Sequence, residues 1–217
     1  MKIEDTAARI RERGLVAVVR GVAPDALEPT VKALLAGGIS CFEITMSVRG
    51  ALREISLLKS ELREAALVGA GEVLNSEMAM LAMSALADFC SGPTVNEEMI
   101  RFCNGRDFLA IPGALTPTEI QHAWHVGAPI IKLFPADAFG PDYIRTIHRP
   151  FPGVAFMPSG GITPQNAATF LREGAVALGA GTSVVDHHAI AAGDFGAISQ
   201  KAAAMVAAVS AARACGC

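Results

Sequence analysis

Eight short apolar runs recur along this chain, their starts spaced 20 to 27 residues apart. They are LVAVVR (15–20), ISCFEIT (39–45), ALVGAG (66–71), ADFCSG (87–92), DFLAIPG (107–113), APIIKLF (128–134), GVAFMPSG (153–160) and AVALGAG (175–181). Continuous apolarity over five or six residues implies burial on both faces, as in parallel strands covered by helices. The intervening segments, such as DALEPTVKALLAGG, NSEMAMLAMSALA and PTEIQHAWHVG, carry helical spacing. Their ends carry signals too. Thr116, Pro117 and Glu119 form a helix start with a capping box, and Thr163-Pro164 repeats the first half of it. Gly37-Gly38, Gly127 and Gly174 suit the left-handed position past a helix end. Eight strand–helix units predict one α/β domain over residues 1–217: a single (β/α)8 TIM barrel with an extra N-terminal helix. A doubly wound open sheet is the alternative, but RGVAPD follows the first run where a GxGxxG turn would be expected.

Composition narrows the partners. A net charge of −3 leaves no basic footprint for nucleic acid. No apolar stretch reaches the roughly 18 residues of a membrane span, and MKIEDTAARIRERG reads as a charged helix rather than a signal peptide. The C-terminal QKAAAMVAAVSAARA reads as a packing helix. Cys41, Cys90 and Cys103 are scattered, and Cys215 and Cys217 sit in an ACGC tail read as a frayed terminus; the pattern fits a reducing cytoplasm.

In a barrel, function lies at the C-terminal ends of the strands. Those positions hold Arg20, Glu43 with Thr45, Gly71-Glu72, Pro93, Pro112-Gly113, Lys132, Ser159-Gly160-Gly161 and Gly181-Thr182. Two charges fall inside strand runs, Glu43 and Lys132. Of the five lysines, Lys132 is the one not in a helical or terminal segment. The two form either a buried structural ion pair or a Schiff-base lysine with a carboxylate to move protons. The glycines after the seventh and eighth runs sit where barrels commonly bind phosphate.

FEIT, GAGxVL, IPG, TPTE, KLFPA, PSGGI and the late GxGT(S), in this order, resemble the 2-keto-3-deoxy-6-phosphogluconate aldolases, over about residues 10 to 186. That family includes 4-hydroxy-2-oxoglutarate aldolases and a galactonate-series branch. The resemblance implies a cytoplasmic homotrimeric lyase of Entner–Doudoroff-type sugar-acid breakdown, needing no cofactor or metal. It would convert a phosphorylated keto acid to pyruvate and glyceraldehyde 3-phosphate. It assigns Lys132 as Schiff-base lysine, Glu43 as acid/base, and Ser159, Gly160, Gly161, Gly181 and Thr182 as phosphate ligands; Ser159 replaces the usual threonine.

Two positions depart from the family. Glu72 stands where many members place a threonine that grips the substrate carboxylate. Ser47 stands where some place an arginine, leaving Arg20 and Arg49 as candidates for that carboxylate beside Thr45 and Pro93. Glu72 would pair with an arginine, point away, or signal another substrate. The rival readings are hydroxy-oxoglutarate cleavage or oxaloacetate decarboxylation through the same imine, and a noncatalytic barrel that binds a phosphorylated ligand; Glu72 favours the last. His187-His188 read as surface histidines rather than metal ligands, Trp124 as packing, and the methionines of MAMLAM as core filler.

Overall fold

The computed structural model describes residues 2–47 and 49–214. Each apolar run contains a strand: β1 (Leu15–Val19), β2 (Cys41–Thr45), β3 (Leu67–Gly71), β4 (Phe89–Ser91), β5 (Leu109–Ile111) with β6 (Gly113–Ala114), β7 (Ile131–Leu133), β8 (Phe156–Pro158) and β9 (Leu178–Ala180). Helix α1 (Ile3–Arg13) precedes them. Between and after them come α2 (Pro24–Ala36), α3 (Ala51–Leu62), α4 (Ser76–Ser84), α5 (Glu97–Asn104), α6 (Pro117–His125), α7 (Pro141–His148), α8 (Pro164–Arg172), α9 (His187–Ala191) and α10 (Phe195–Ala214).

The fold is α/β, and all strand pairings are parallel. One continuous eight-stranded sheet was expected; instead a curled six-stranded sheet, β5-β4-β3-β2-β1-β9, faces a three-stranded one, β6-β7-β8. The fifth run is divided at Pro112, which has no N–H for the ladder, although its carbonyl accepts from Lys132 N at 2.9 Å. On the other side, β8 and the β9 run meet through isolated bridges at Phe156–Ala175 and Ser159–Gly179.

Strand side chains alternate between two faces. Val16, Cys41, Leu67, Phe89, Leu109, Ile111, Ile130, Met157 and Ala177 form one inner cluster, closed by Ala7 and Ile10 of α1. Their neighbours, such as Ala17, Phe42, Val68, Cys90, Ile131 and Leu178, face the helices. The strands are therefore apolar along most of their length because they are buried twice, the exceptions being Glu43, Thr45, Ser91 and Lys132. Burying each large side chain contributes roughly 1.5–3 kcal/mol.

The caps follow the sequence. Thr116 Oγ1 accepts from Glu119 N while Glu119 Oε2 accepts from Thr116 N at 2.8 Å, holding that carboxyl below its ordinary range. Asn166 Oδ1 accepts from Thr163 N at 2.8 Å. Gly38, Gly127 and Gly174 take positive φ, whereas Gly37 stays at −79° and abuts Ala202 of α10. Three expectations need correcting. Helix α10 is 20 residues long and apolar enough to cross a membrane by length and composition, because its alanines are counted as apolar. Its Ile198, Ala202, Met205, Val209 and Ala212 are buried, and it packs on α2 and α8. Trp124 is 45% exposed, and in α4 it is Ala79 and Ala82, not the methionines, that are fully buried.

Candidate active site

The same alternation that builds the inner cluster builds the site. Two residues beyond Val16, Cys41, Phe89, Ile130 and Met157, toward the C-terminal ends of the strands, stand Val18, Glu43, Ser91, Lys132 and Ser159. The inner face thus changes from apolar to polar within one strand period. Glu43 is fully buried and Lys132 is 4% exposed. Lys132 Nζ donates to Glu43 Oε1 at 3.0 Å, to Oε2 at 3.1 Å and to Ser91 Oγ at 3.3 Å. The ammonium's three donors are thereby accounted for, which is what allows a cation to be buried. The Phe134 ring lies 5.8 Å from Nζ.

Space for the Glu43 carboxylate comes from a missing side chain. A β-carbon on Gly71 would lie 2.2 Å from Glu43 Oε1. Gly69, one strand period earlier, similarly yields to the Phe89 ring. Gly71 is thus the mould in which the carboxylate sits, and Gly69 the space for the Phe89 ring.

At the same end of the strands opens a cavity of about 330 Å³, lined by Val18 (the register partner of Glu43), Phe134, Arg20, Ser159-Gly160-Gly161, Gly181-Thr182-Ser183 and His187. Lys132, Glu43 and Ser91 are not in its wall, and Val18 and Phe134 are the lining residues that neighbour the pair. Gly160 and Gly161 have φ of +100° and +66°, and a β-carbon on Gly161 would press within 2.5 Å of Asp137 Cβ. The N–H groups of Gly160, Gly161, Thr182 and Ser183 find no acceptor among the described residues. A backbone turn of free N–H groups beside the start of α8 is suited to an anion.

All five sequence candidates for phosphate are therefore together. The carboxylate candidates are not. Arg20 lines the cavity and pairs across β2 with Glu72, whose backbone sits at φ +23°, a strained value for a residue other than glycine. Of the three readings of Glu72, the structure takes the arginine pair, and the arginine is Arg20 rather than Arg49. Arg49 is exposed in the turn before α3. Thr45 is buried with Oγ1 3.1 Å from Ser47 Oγ, and the Pro93 carbonyl packs against Gly113. None of Thr45, Arg49, Glu72 and Pro93 lines the cavity.

Three participants were not among the sequence candidates, Ser91, Phe134 and His187, and Gly71 was named as a strand-end position but not as the space for Glu43. Ser91 had a signal, being a polar residue in an apolar run at the same inward parity as Phe89. His187 had none, since only the fold brings it to the cavity. Among the described residues no group of three or more His, Cys, Asp or Glu side chains could hold a metal. Cys90 and Cys103, scattered in sequence, lie with sulfurs 3.8 Å apart as buried thiols; Cys215 and Cys217 fall outside the described residues.

Residues 6–201 match the family model "Aldolase: KDPG and KHG aldolase". A 2-dehydro-3-deoxy-phosphogluconate aldolase of Treponema pallidum is 35% identical over 172 residues, covering 79% of this chain and 81% of that protein. A 2-dehydro-3-deoxy-6-phosphogalactonate aldolase of Escherichia coli is 31% identical over 171 residues, covering 78% and 83%. Among solved structures, a KDPG aldolase from Legionella pneumophila, with pyruvate captured as a covalent carbinolamine intermediate, superposes with a TM-score of 0.84 at 28% identity. That match covers 92% of this chain and 97% of the other.

Proposed function

Because the chain belongs to the KDPG and KHG aldolase family, we propose that it cleaves 2-keto-3-deoxy-6-phosphogluconate, or a close stereoisomer, to pyruvate and glyceraldehyde 3-phosphate through a Schiff base on Lys132. One observation carries the assignment to this residue: a buried lysine amine within hydrogen-bonding distance of a buried carboxylate, at the end of the strands where the cavity rimmed by free N–H groups opens.

Glu43 accepts a proton from the Lys132 ammonium, and the free amine attacks the C2 ketone. The resulting carbinolamine loses water, with Glu43 returning the proton to the departing hydroxyl. Ser91 steadies Nζ through these steps. Glu43, again a carboxylate, takes the C4 hydroxyl proton; the C3–C4 bond breaks and its electron pair moves into the iminium, giving an enamine and the aldehyde. Protonation of the enamine at C3 and hydrolysis release pyruvate and regenerate the amine. The glycine loops hold the phosphate end and so fix the C3–C4 bond over Lys132.

The reading extends to a closed eight-stranded barrel, supported by the bridges between β8 and the β9 run. It extends also to a cytoplasmic homotrimer, supported by the three buried free thiols and by exposed Leu86, Trp124 and Phe139. Sedimentation velocity showing only monomer would remove the trimer. Cleavage of 4-hydroxy-2-oxoglutarate by the same imine is kept as a second activity, since the matched family spans both substrates. The feature that favoured a noncatalytic barrel, Glu72, is accounted for by its pairing with Arg20. The test is reduction with borohydride in the presence of pyruvate, followed by peptide mapping. Mass is expected on the peptide containing Lys132; labelling elsewhere, or none while a control aldolase is trapped, overturns the assignment.

A further inference from the structure

We propose that His187 is a proton-dependent ligand for the phosphate end of the substrate, and that with Arg20 it sets the preference for phosphorylated over unphosphorylated keto acids. The inference rests on the aldolase reading and deepens it by giving the distal anion a titratable partner.

Strands β1 and β9 lie side by side, with Ala17 opposite Ala180. The loops that follow them therefore leave the sheet together, although one comes early in the chain and the other late. Gly21, the residue after Arg20, has φ +66° and no side chain; a β-carbon there would stand 3.6 Å from Cε1 of His187. The imidazole thus closes over the β1 loop and forms part of the cavity wall.

Among the described residues that line the cavity, Arg20 and His187 are the side chains able to carry a charge, and both would be positive; the Asp137 carboxylate lies against the Gly160-Gly161 turn without lining the cavity. Arg20 is engaged by Glu72, which offsets part of its field. Among the described residues His187 forms no ion pair. Its neighbour Asp186 accepts from the N–H groups of His188 and Ala189 and pairs with Lys201 of α10, contacts that hold its carboxyl down at about 2. The charged or titratable groups around His187 are therefore Arg20 from the β1 loop, Asp186 and His188 from its own segment, and Lys201 from α10.

The remaining polar groups on the wall can donate. Ser183 Oγ is buried without a partner, and the N–H groups of Gly160, Gly161 and Thr182 are free among the described residues. A phosphate monoester supplies several acceptor oxygens to such a set, and a protonated imidazole adds a charge-assisted bond that the neutral ring cannot match. Histidine is the side chain whose charge changes in the neutral range.

The experiment compares wild type, His187→Gln and His187→Lys by the ratio of kcat/KM for 2-keto-3-deoxy-6-phosphogluconate to that for 4-hydroxy-2-oxoglutarate. In parallel, the ring signals of His187 are titrated by NMR with and without inorganic phosphate. His187→Gln is expected to lower the ratio about tenfold at pH 6 and at most about twofold at pH 8, with His187→Lys close to wild type at both. Phosphate should raise the midpoint of the His187 titration by about half a pH unit or more. If the enzyme cleaves both substrates but neither the ratio nor the midpoint moves, the proposal falls and the aldolase reading stands. If phosphate raises the midpoint but neither substrate is cleaved, the aldolase reading falls and the anion site stands. Equal losses for both substrates in His187→Gln also overturn the proposal.

Discussion

Lys132 and Glu43 meet with 5% and 0% of their side chains exposed, Arg20 and Glu72 with 53% and 32%. The same pairing of charges has different meanings at the two depths. At the inner site both groups are buried, so each charge is tolerated there because of the other, and removing either leaves a costly orphan. At the rim, water screens both charges, and the pair is worth little as an interaction. What it provides is direction. Glu72 holds the Arg20 guanidinium across the mouth, at the cost of a strained backbone at φ +23°.

The sharpest way to break this comparison is at Lys132. Lys132→Met should abolish turnover and destabilise the fold by about 3–5 kcal/mol, with most of that recovered in Lys132→Met/Glu43→Gln. Denaturant unfolding and an aldolase assay measure both; a single variant as stable as wild type would mean that water reaches Glu43. Glu43→Gln keeps the shape but not the proton acceptor, so cleavage should fall by roughly 10²- to 10⁴-fold. Near-normal turnover would leave Glu43 as a structural partner alone. Gly71→Ala comes next, with a loss of about 10²-fold, because the added methyl displaces the Glu43 carboxylate. A crystal structure showing the carboxylate unmoved would refute that cause.

At the rim the effect should be small. Glu72→Thr is expected to change stability by less than about 1 kcal/mol and to lower kcat/KM by no more than about tenfold, as Arg20 loses its anchor. A gain in kcat/KM would instead show that Glu72 repels the substrate.

The inner half of this contrast was legible in sequence, and the rim only in part. A charge inside an apolar run is conspicuous, so Lys132 and Glu43 could be read directly, as could the glycines at ordinal positions seven and eight. The pairing of Glu72 was not readable, because Arg20 and Arg49 are both within the reach of a long side chain and geometry decides between them. Gly71 was visible as a glycine but not as the space for Glu43, since that depends on the register of β2 against β3. His187 was read as a surface residue and is exposed; what the sequence did not show is its place on the cavity rim, which arises from pairing the first strand with the last. The fold followed the same division. The eight runs were plain from their apolarity, while the break at Pro112 and the bridged seam beside β9 depend on hydrogen bonds between distant segments. Helix α10 misled for a different reason. Alanine is counted as apolar, but it is small enough that a helix rich in it can remain largely at the surface of a protein.

Helix α1 has a consequence for the order of events. By packing Ala7 and Ile10 into the inner cluster, it fills the end of the inner face opposite the cavity, so that the cavity's mouth is the approach to the site. Under the proposed mechanism the three-carbon fragment bonded to Lys132 would lie deeper than the phosphorylated aldehyde, so that the aldehyde would depart first and water would then reach the enamine to release pyruvate.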